Sequence, residues 1–262
     1  MNFVLTPRKK IIISLGLAMF AFIFLTGFLL GNRYGEVISV INQKLVPIYE
    51  VDRDDKLVSI TVDGTWGASQ TDELLEILRQ NDITITFFFA GYWLKKYPNT
   101  VKRIAAEGHE IENHSLTHPH FNPLSRDKIK EEIESTSDLI EDLIGKRPKF
   151  FRPPFGEYNN KVIQTLDELG YQTVQWSVDS HDWMEPGVDY IVKRVMDNIK
   201  SGGIILMHNS APDTPEALKI IISKLKEKGY KIVPLSELVY KDNYYIESYS
   251  GKQVKKKGGS DN

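Results

Sequence analysis

The chain has 262 residues, with 33 lysines and arginines against 35 aspartates and glutamates and a pI near 6.3. That balance argues against a dedicated nucleic-acid binder, which needs a strongly basic face. There is no cysteine, so disulfides, iron–sulfur clusters and cysteine-based zinc fingers are excluded, and the composition fits an extracytoplasmic bacterial protein.

Arg8, Lys9 and Lys10 precede an uncharged apolar run from Ile11 to Leu30. About 20 apolar residues span a bilayer as one helix, and a basic flank stays in the cytoplasm. The run is longer than a usual signal-peptide core, and no small-x-small cleavage site follows it. The expectation is a single-pass anchor at 11–30 in a bacterial cell membrane, with 1–10 cytoplasmic and the rest extracytoplasmic. A mixed, charged stretch at 31–56 reads as a stalk, 57–240 as the folded domain, and 241–262 as a polar tail.

From Leu57 short apolar strands alternate with amphipathic helices. Strands are predicted at Val58–Val62, Thr84–Phe89, a short run ending near His114, Lys149–Phe151, Gln172–Val178, Ile204–Met207 and Lys231–Val233. Helices are predicted at Thr71–Arg79, Trp93–Glu107, Ser125–Ile144, Asn160–Leu169, Val188–Ile199, Pro215–Lys228 and Ser236–Tyr240, with Gly108, Gly145, Gly170 and Gly229 as stops. Repeated β–α units with buried strands imply a parallel α/β sheet, and their number suits a barrel-like closure better than a flat doubly wound sheet. No glycine-rich phosphate loop follows the first strand.

The six histidines all lie between His109 and His208. His114 and His118 are four residues apart; on one helical turn such residues share a face, so both rings could hold one ion. Imidazoles without cysteines point to a nitrogen- and oxygen-ligated metal with positions open to water, as in a catalytic site. Other polar residues fall where strands stop: Asp63, Arg152, Asp179, Asp182 and His208. In a β/α barrel the C-terminal strand ends converge on one mouth, so these would be neighbours in space. Singly, each reads as easily as a helix cap, a surface ion pair or a satisfied core histidine.

Five blocks in order change that balance: Thr61–Gly67 (TVDGTWG), His114–His118 (HSLTH), Arg152–Gly156 (RPPFG), Asp179–Trp183 (DSHDW) and Leu206–His208 (LMH). Over about Leu57 to Tyr240 the chain resembles the NodB-homology polysaccharide deacetylases, carbohydrate esterase family 4, most of all their membrane-anchored and sporulation-type bacterial members. The resemblance implies a distorted TIM-like barrel and metal-assisted removal of N-acetyl groups from amino sugars of peptidoglycan or a related glycan. It implies His114 and His118 as ligands of a divalent ion, Zn²⁺ or alternatively Co²⁺, and Asp63 as the base held by Arg152. It further implies His208 as the acid, oriented by Asp182 or, failing that, Asp179. A backbone N–H near Phe155 would stabilise the oxyanion. Leu206 and Trp183 would line the acetyl pocket, with Phe155 near the sugar.

The polysaccharide and the membrane are the expected partners; no nucleic acid or protein partner is expected. One position departs from the family pattern: where a second aspartate usually ligates the metal, this chain has Gly64. Glu112, on the strand face of His114, is a weak substitute ligand. Two other readings follow: a catalytically weak glycan-binding protein on the same fold, and a metal amidohydrolase for small molecules.

Overall fold

The computed structural model describes residues 44–256, together with 19, 22 and 25–28. The chain divides into two units, Met1–Lys44 and Leu45–Asn262. In the first, the described positions are helical and expose Met19, Phe22, Leu25 and Phe28. Most of the expected membrane span at 11–30, all of 1–10, and 31–43 of the stalk lie outside the described residues. Among the described residues no helix is long and apolar enough to cross a membrane.

The second unit is built on an eight-stranded, wholly parallel sheet. Numbering from a short strand β1 at Glu50–Val51, its members are β2 (Leu57–Gly64), β3 (Thr86–Phe89), β4 (Glu110–Asn113), β5 (Phe150–Phe151), β6 (Gln172–Thr173), β7 (Val178–Asp179), β8 (Ile204–His208) and β9 (Lys231–Ile232). The order β6-β5-β4-β3-β2-β8-β7, with β9 on β2, leaves β6 and β7 unpaired with each other. The expected barrel is therefore an open one. The single strand expected over Gln172–Val178 breaks into β6 and β7, which sit at opposite edges of the sheet.

The seam is covered from outside the motif region. The Ile48 amide donates to the Thr173 carbonyl at 2.9 Å, and the Gln175 amide donates to the Ile48 carbonyl at 2.8 Å. The Val51 amide donates to Gly202 at 2.9 Å. β1 also pairs with β11 (Lys252–Lys255), which pairs with β10 (Tyr244–Ile246). Ile48 and Val51 are 1% exposed. This corrects two expectations: 45–56 is a barrel strap rather than stalk, and 241–256 is a small sheet rather than tail. The apolar Ile48 and Val51 and the edge hydrogen bonds of the gap hold the strap in place.

Alternation along the strands sorts the two faces of the sheet. Val58, Ile60 and Val62 pack outward against helices with Leu74, Leu78, Leu218 and Ile221, whereas Phe88 packs with Ile48, Val51 and Val174. The intervening β2 residues Ser59, Thr61 and Asp63 are buried polar groups on the opposite face from Val58, Ile60 and Val62. The helix predicted over Trp93–Glu107 is two helices, Gly91–Lys96 and Pro98–Ala106. Pro98 forces Tyr97 out of the α region, at φ −127 and ψ 49. The long helix at Arg126–Ile144 starts and stops as its caps dictate: Ser125 Oγ accepts from the Lys128 amide, and Gly145 adopts φ 69.

Candidate active site

β2 delivers Asp63 and β5 delivers Arg152 to one buried pair. Arg152 Nη1 donates to Asp63 Oδ1 at 2.6 Å, and Nη2 donates to Thr61 Oγ1 at 2.8 Å and to the Gln175 carbonyl at 3.1 Å. The guanidinium is fully buried and lies 4.2 Å from the Phe88 ring centre. Burial alone would raise the Asp63 pKa, but the Arg152 charge, the neighbouring His114 and His208 imidazoles and the Arg152 hydrogen bond outweigh it and hold the carboxyl below its ordinary value.

His114 follows the last residue of β4. Its Nδ1 lies 2.8 Å from the Arg152 carbonyl; a carbonyl only accepts, so Nδ1 carries the proton and Nε2 keeps its lone pair. That Nε2 stands 3.6 Å from Asp63 Oδ2. The His118 ring is 4.9 Å from the His114 ring. Burial lowers the pKa of both imidazoles, and the closeness of a second imidazole, which disfavours protonating either, helps push His118 down to about 3. Both are neutral at ordinary pH, the form that ligates metals.

The two histidines do not share a helical turn, as their spacing suggested. They bracket a loop in which Ser115 and His118 take left-handed φ values of 71 and 56, a conformation that is costly for residues other than glycine. Hydrogen bonds fix this shape. Glu132, 1% exposed on the Arg126–Ile144 helix, accepts from the Leu116 and Thr117 amides at 2.9 and 2.8 Å and from Thr117 Oγ1 at 2.8 Å. Asn113 Oδ1 accepts from the Ser115 amide and Ser115 Oγ from the His118 amide, at 2.8 and 3.0 Å. Sequence reasoning missed Glu132. The signal was there: it lies on the apolar stripe Ile129, Ile133, Thr136 and Ile140, where an unpaired carboxylate would be costly.

On the other side of β2, Asp63 and His208 are register partners across the β2–β8 pair. His208 Nδ1 donates to Asp182 Oδ1 at 2.7 Å, and its amide donates to Oδ2 at 2.7 Å. Thr214 Oγ1 donates to Oδ2 at 2.6 Å and the Trp183 amide to Oδ1 at 2.9 Å. Burial lowers the His208 pKa, yet the Asp182 hydrogen bond and charge, helped by Asp63 and Asp179, raise it overall. Asp179 does not hold the ring: its Oδ1 accepts from the His181 amide at 2.9 Å. Leu206, two residues before His208 on β8, is 3% exposed and faces the same side. Trp183 and Phe155 are exposed, and Phe155, at φ 58, sets its ring 4.6 Å from that of His118. His109 and His181 pair with the Ile85 amide and Tyr190, and His120, at the rim, pairs with Glu157 and stacks on Phe155.

At Gly64 a Cβ would lie 2.2 and 2.3 Å from ring carbons of Phe89. That ring is packed 4.1 Å from Trp93 and 5.5 Å from Phe87, so the place is filled by a phenyl group. Glu112 does not replace the missing ligand: its Oε2 accepts from the Lys149 and Phe150 amides at 2.7 Å each. Burial pushes its carboxyl up to about 8, against those two bonds. The strand face it was expected to share with His114 ends at Asn113. Among the described residues no cluster of three or more His, Cys, Asp or Glu donors is placed to hold a metal ion. The residues fit an ion held by two neutral imidazoles, with the remaining positions open to water and ligand.

An Arg-held carboxylate, a neutral imidazole pair and an Asp-held imidazole at the C-terminal ends of a parallel sheet define a site equipped for acid–base hydrolysis. Comparison with known proteins narrows the class. Residues 50–174 match the polysaccharide deacetylase family. A Bacillus cereus peptidoglycan-N-acetylglucosamine deacetylase is 39% identical over 73% of this chain and 92% of its own. An uncharacterized Bacillus subtilis protein, YlxY, is 37% identical over 74% of this chain, and the match spans 60% of that relative's length. The crystal structure of a wild-type carbohydrate esterase family 4 pseudoenzyme from Bacillus anthracis superposes with a TM-score of 0.71 at 37% identity, covering 74% of this chain and 68% of that one. The chain belongs to the polysaccharide deacetylase family, carbohydrate esterase family 4.

Proposed function

We propose that the protein hydrolyses N-acetyl groups of amino sugars in peptidoglycan or a related cell-wall glycan, releasing acetate. The observation that carries this reading is the register pairing of Asp63 with His208, which sets a depressed carboxyl and a raised imidazole side by side. Asp63, ionised and held by Arg152, accepts a proton from the attacking water. His208, protonated and held by Asp182, gives its proton to the amine nitrogen as the C–N bond breaks. The Phe155 backbone N–H faces the oxyanion, and Leu206 and Trp183 receive the acetyl methyl. A divalent ion at His114 and His118, zinc first and cobalt second, would supply Lewis acidity toward the acetamide and its water.

We also place the protein at the bacterial cell membrane as a single-pass protein with this domain outside. The basic flank and apolar run at the N-terminus support that reading, together with the large apolar side chains exposed at 19, 22, 25 and 28. The test of function is acetate release from chitooligosaccharides and peptidoglycan with added Zn²⁺ or Co²⁺, wild type against Asp63→Asn and His208→Ala. Release abolished by both substitutions supports the deacetylase. A second reading, a glycan-binding protein without turnover, is favoured by the closed place at Gly64; glycan binding with no acetate released would establish it. Activity on small amides alone would point to an amidohydrolase.

A further inference from the structure

Exposed apolar side chains gather at the mouth. Trp66, Phe155, Trp183 and Met184 are 61, 54, 57 and 57% exposed. Each of the three aromatic ones adjoins a group of the site. The Trp66 ring meets His118 edge to face at 5.1 Å, Phe155 meets the same imidazole at 4.6 Å, and the Trp183 amide donates to Asp182.

Phe155 and Trp183 already have places in the proposed reaction; Trp66 does not. Its loop is pinned. The Gly67 carbonyl accepts from Trp93 Nε1 at 2.6 Å and from Asn209 Nδ2 at 3.3 Å, and Gly67 takes φ +61, which a glycine adopts freely. The fold thus buries Trp93 to 1% exposure while leaving the Trp66 indole in water. A seated, outward aromatic face loses little freedom on binding. Beyond His118, which both Trp66 and Phe155 meet, aromatic and polar groups alternate: His120 stacks on Phe155 at 4.4 Å and pairs with Glu157 at 2.9 Å. A protein or lipid surface would call for a continuous apolar patch. A pyranose, with an apolar C–H face and a rim of hydroxyls, matches the alternation.

We propose that Trp66 stacks on a sugar ring next to the one being deacetylated, so that the chain selects a polymer over a single amino sugar. This rests on the glycan reading above. The test compares wild type, Trp66→Ala and Trp66→Phe on N-acetylglucosamine and its oligomers, by acetate release and by calorimetric binding. Binding is measured in an Asp63→Asn background, which removes turnover. For the tetramer, Trp66→Ala should raise KM and Kd about five- to tenfold with kcat unchanged, and Trp66→Phe should restore most of the loss. The single sugar should be handled alike by all three, and the melting temperature should not move. Equal KM and Kd for the tetramer in wild type and Trp66→Ala would overturn the proposal while leaving deacetylation intact. A fall in kcat at constant KM would also overturn it, making Trp66 a support for His118. Trp66-dependent oligomer binding without acetate release would keep the stacking and discard the deacetylase.

Discussion

The two flanks of Asp63 are built to different standards. On the β8 side, Asp182 accepts four hydrogen bonds, and His208 is fixed through both its ring and its amide. On the β4 side, the imidazole loop is well braced, yet it offers two nitrogens, and the next ligand place is filled by Phe89. On the proposed mechanism, the half that would handle protons is complete, whereas the half that would hold an ion lacks at least one protein ligand. On that reading, turnover should be limited by ion affinity rather than by proton transfer.

The comparison breaks most directly at the proton-handling half. Asp63→Asn and His208→Ala should each lower kcat by about 10²–10⁴-fold with KM little changed, as measured by acetate release. Loss of metal affinity in place of kcat would mean the two halves are not separable. The pH profile gives the sign. Asp63 is depressed and must be ionised, so the rate rises as pH climbs through its low pKa. His208 is raised and must be protonated, so the rate falls as pH climbs through a value above that of an ordinary imidazole. Asp182→Asn removes the partner that raises it and leaves burial, so the alkaline limb should shift to lower pH.

The ion-holding half yields the next effect. Gly64→Asp alone should cost about 1–3 kcal/mol of stability by overpacking, seen in denaturant unfolding, with no tighter Zn²⁺ binding. Combined with Phe89→Ala, which vacates the ring, it should tighten Zn²⁺ tenfold or more by calorimetry. Tighter binding from Gly64→Asp by itself would show that Phe89 yields readily. Glu132→Gln exchanges a charged acceptor of three hydrogen bonds for a neutral one. It should weaken Zn²⁺ affinity by about tenfold, since bonds to charged groups contribute about 1.5–3 kcal/mol each. The smallest change is expected at Asp179, whose carboxylate serves a backbone amide: Asp179→Asn should alter kcat less than about threefold, against the large loss at Asp182.

Much of the site could be read in advance because it is written at strand ends. Asp63, His114, Arg152 and His208 each lie within a residue of the C-terminal end of a buried strand, so topology alone brings them together. What escaped reading was nonlocal. β1 and β11 are two and four residues long, too short for a periodic signal, and their pairing joins the two ends of the domain. The spacing of His114 and His118 suits a helical turn as well as a loop, because spacing carries no information about φ; the loop's shape depends on Glu132, on a different element. The occupant of the place beside Gly64 depends on Phe89 across the sheet, and the sequence Thr86–Phe89 reads simply as apolar strand.

The strap at Ile48–Val51 has a practical consequence for anyone preparing the domain. A recombinant fragment trimmed to the motif-bearing region, starting at Leu57, would bare the backbone at Val174, just past β6, and at Gly203, just before β8, and strip the cover from Val174 and Ile204. It should aggregate or adhere to itself through those bare edges. One beginning at Leu45 carries its own seal.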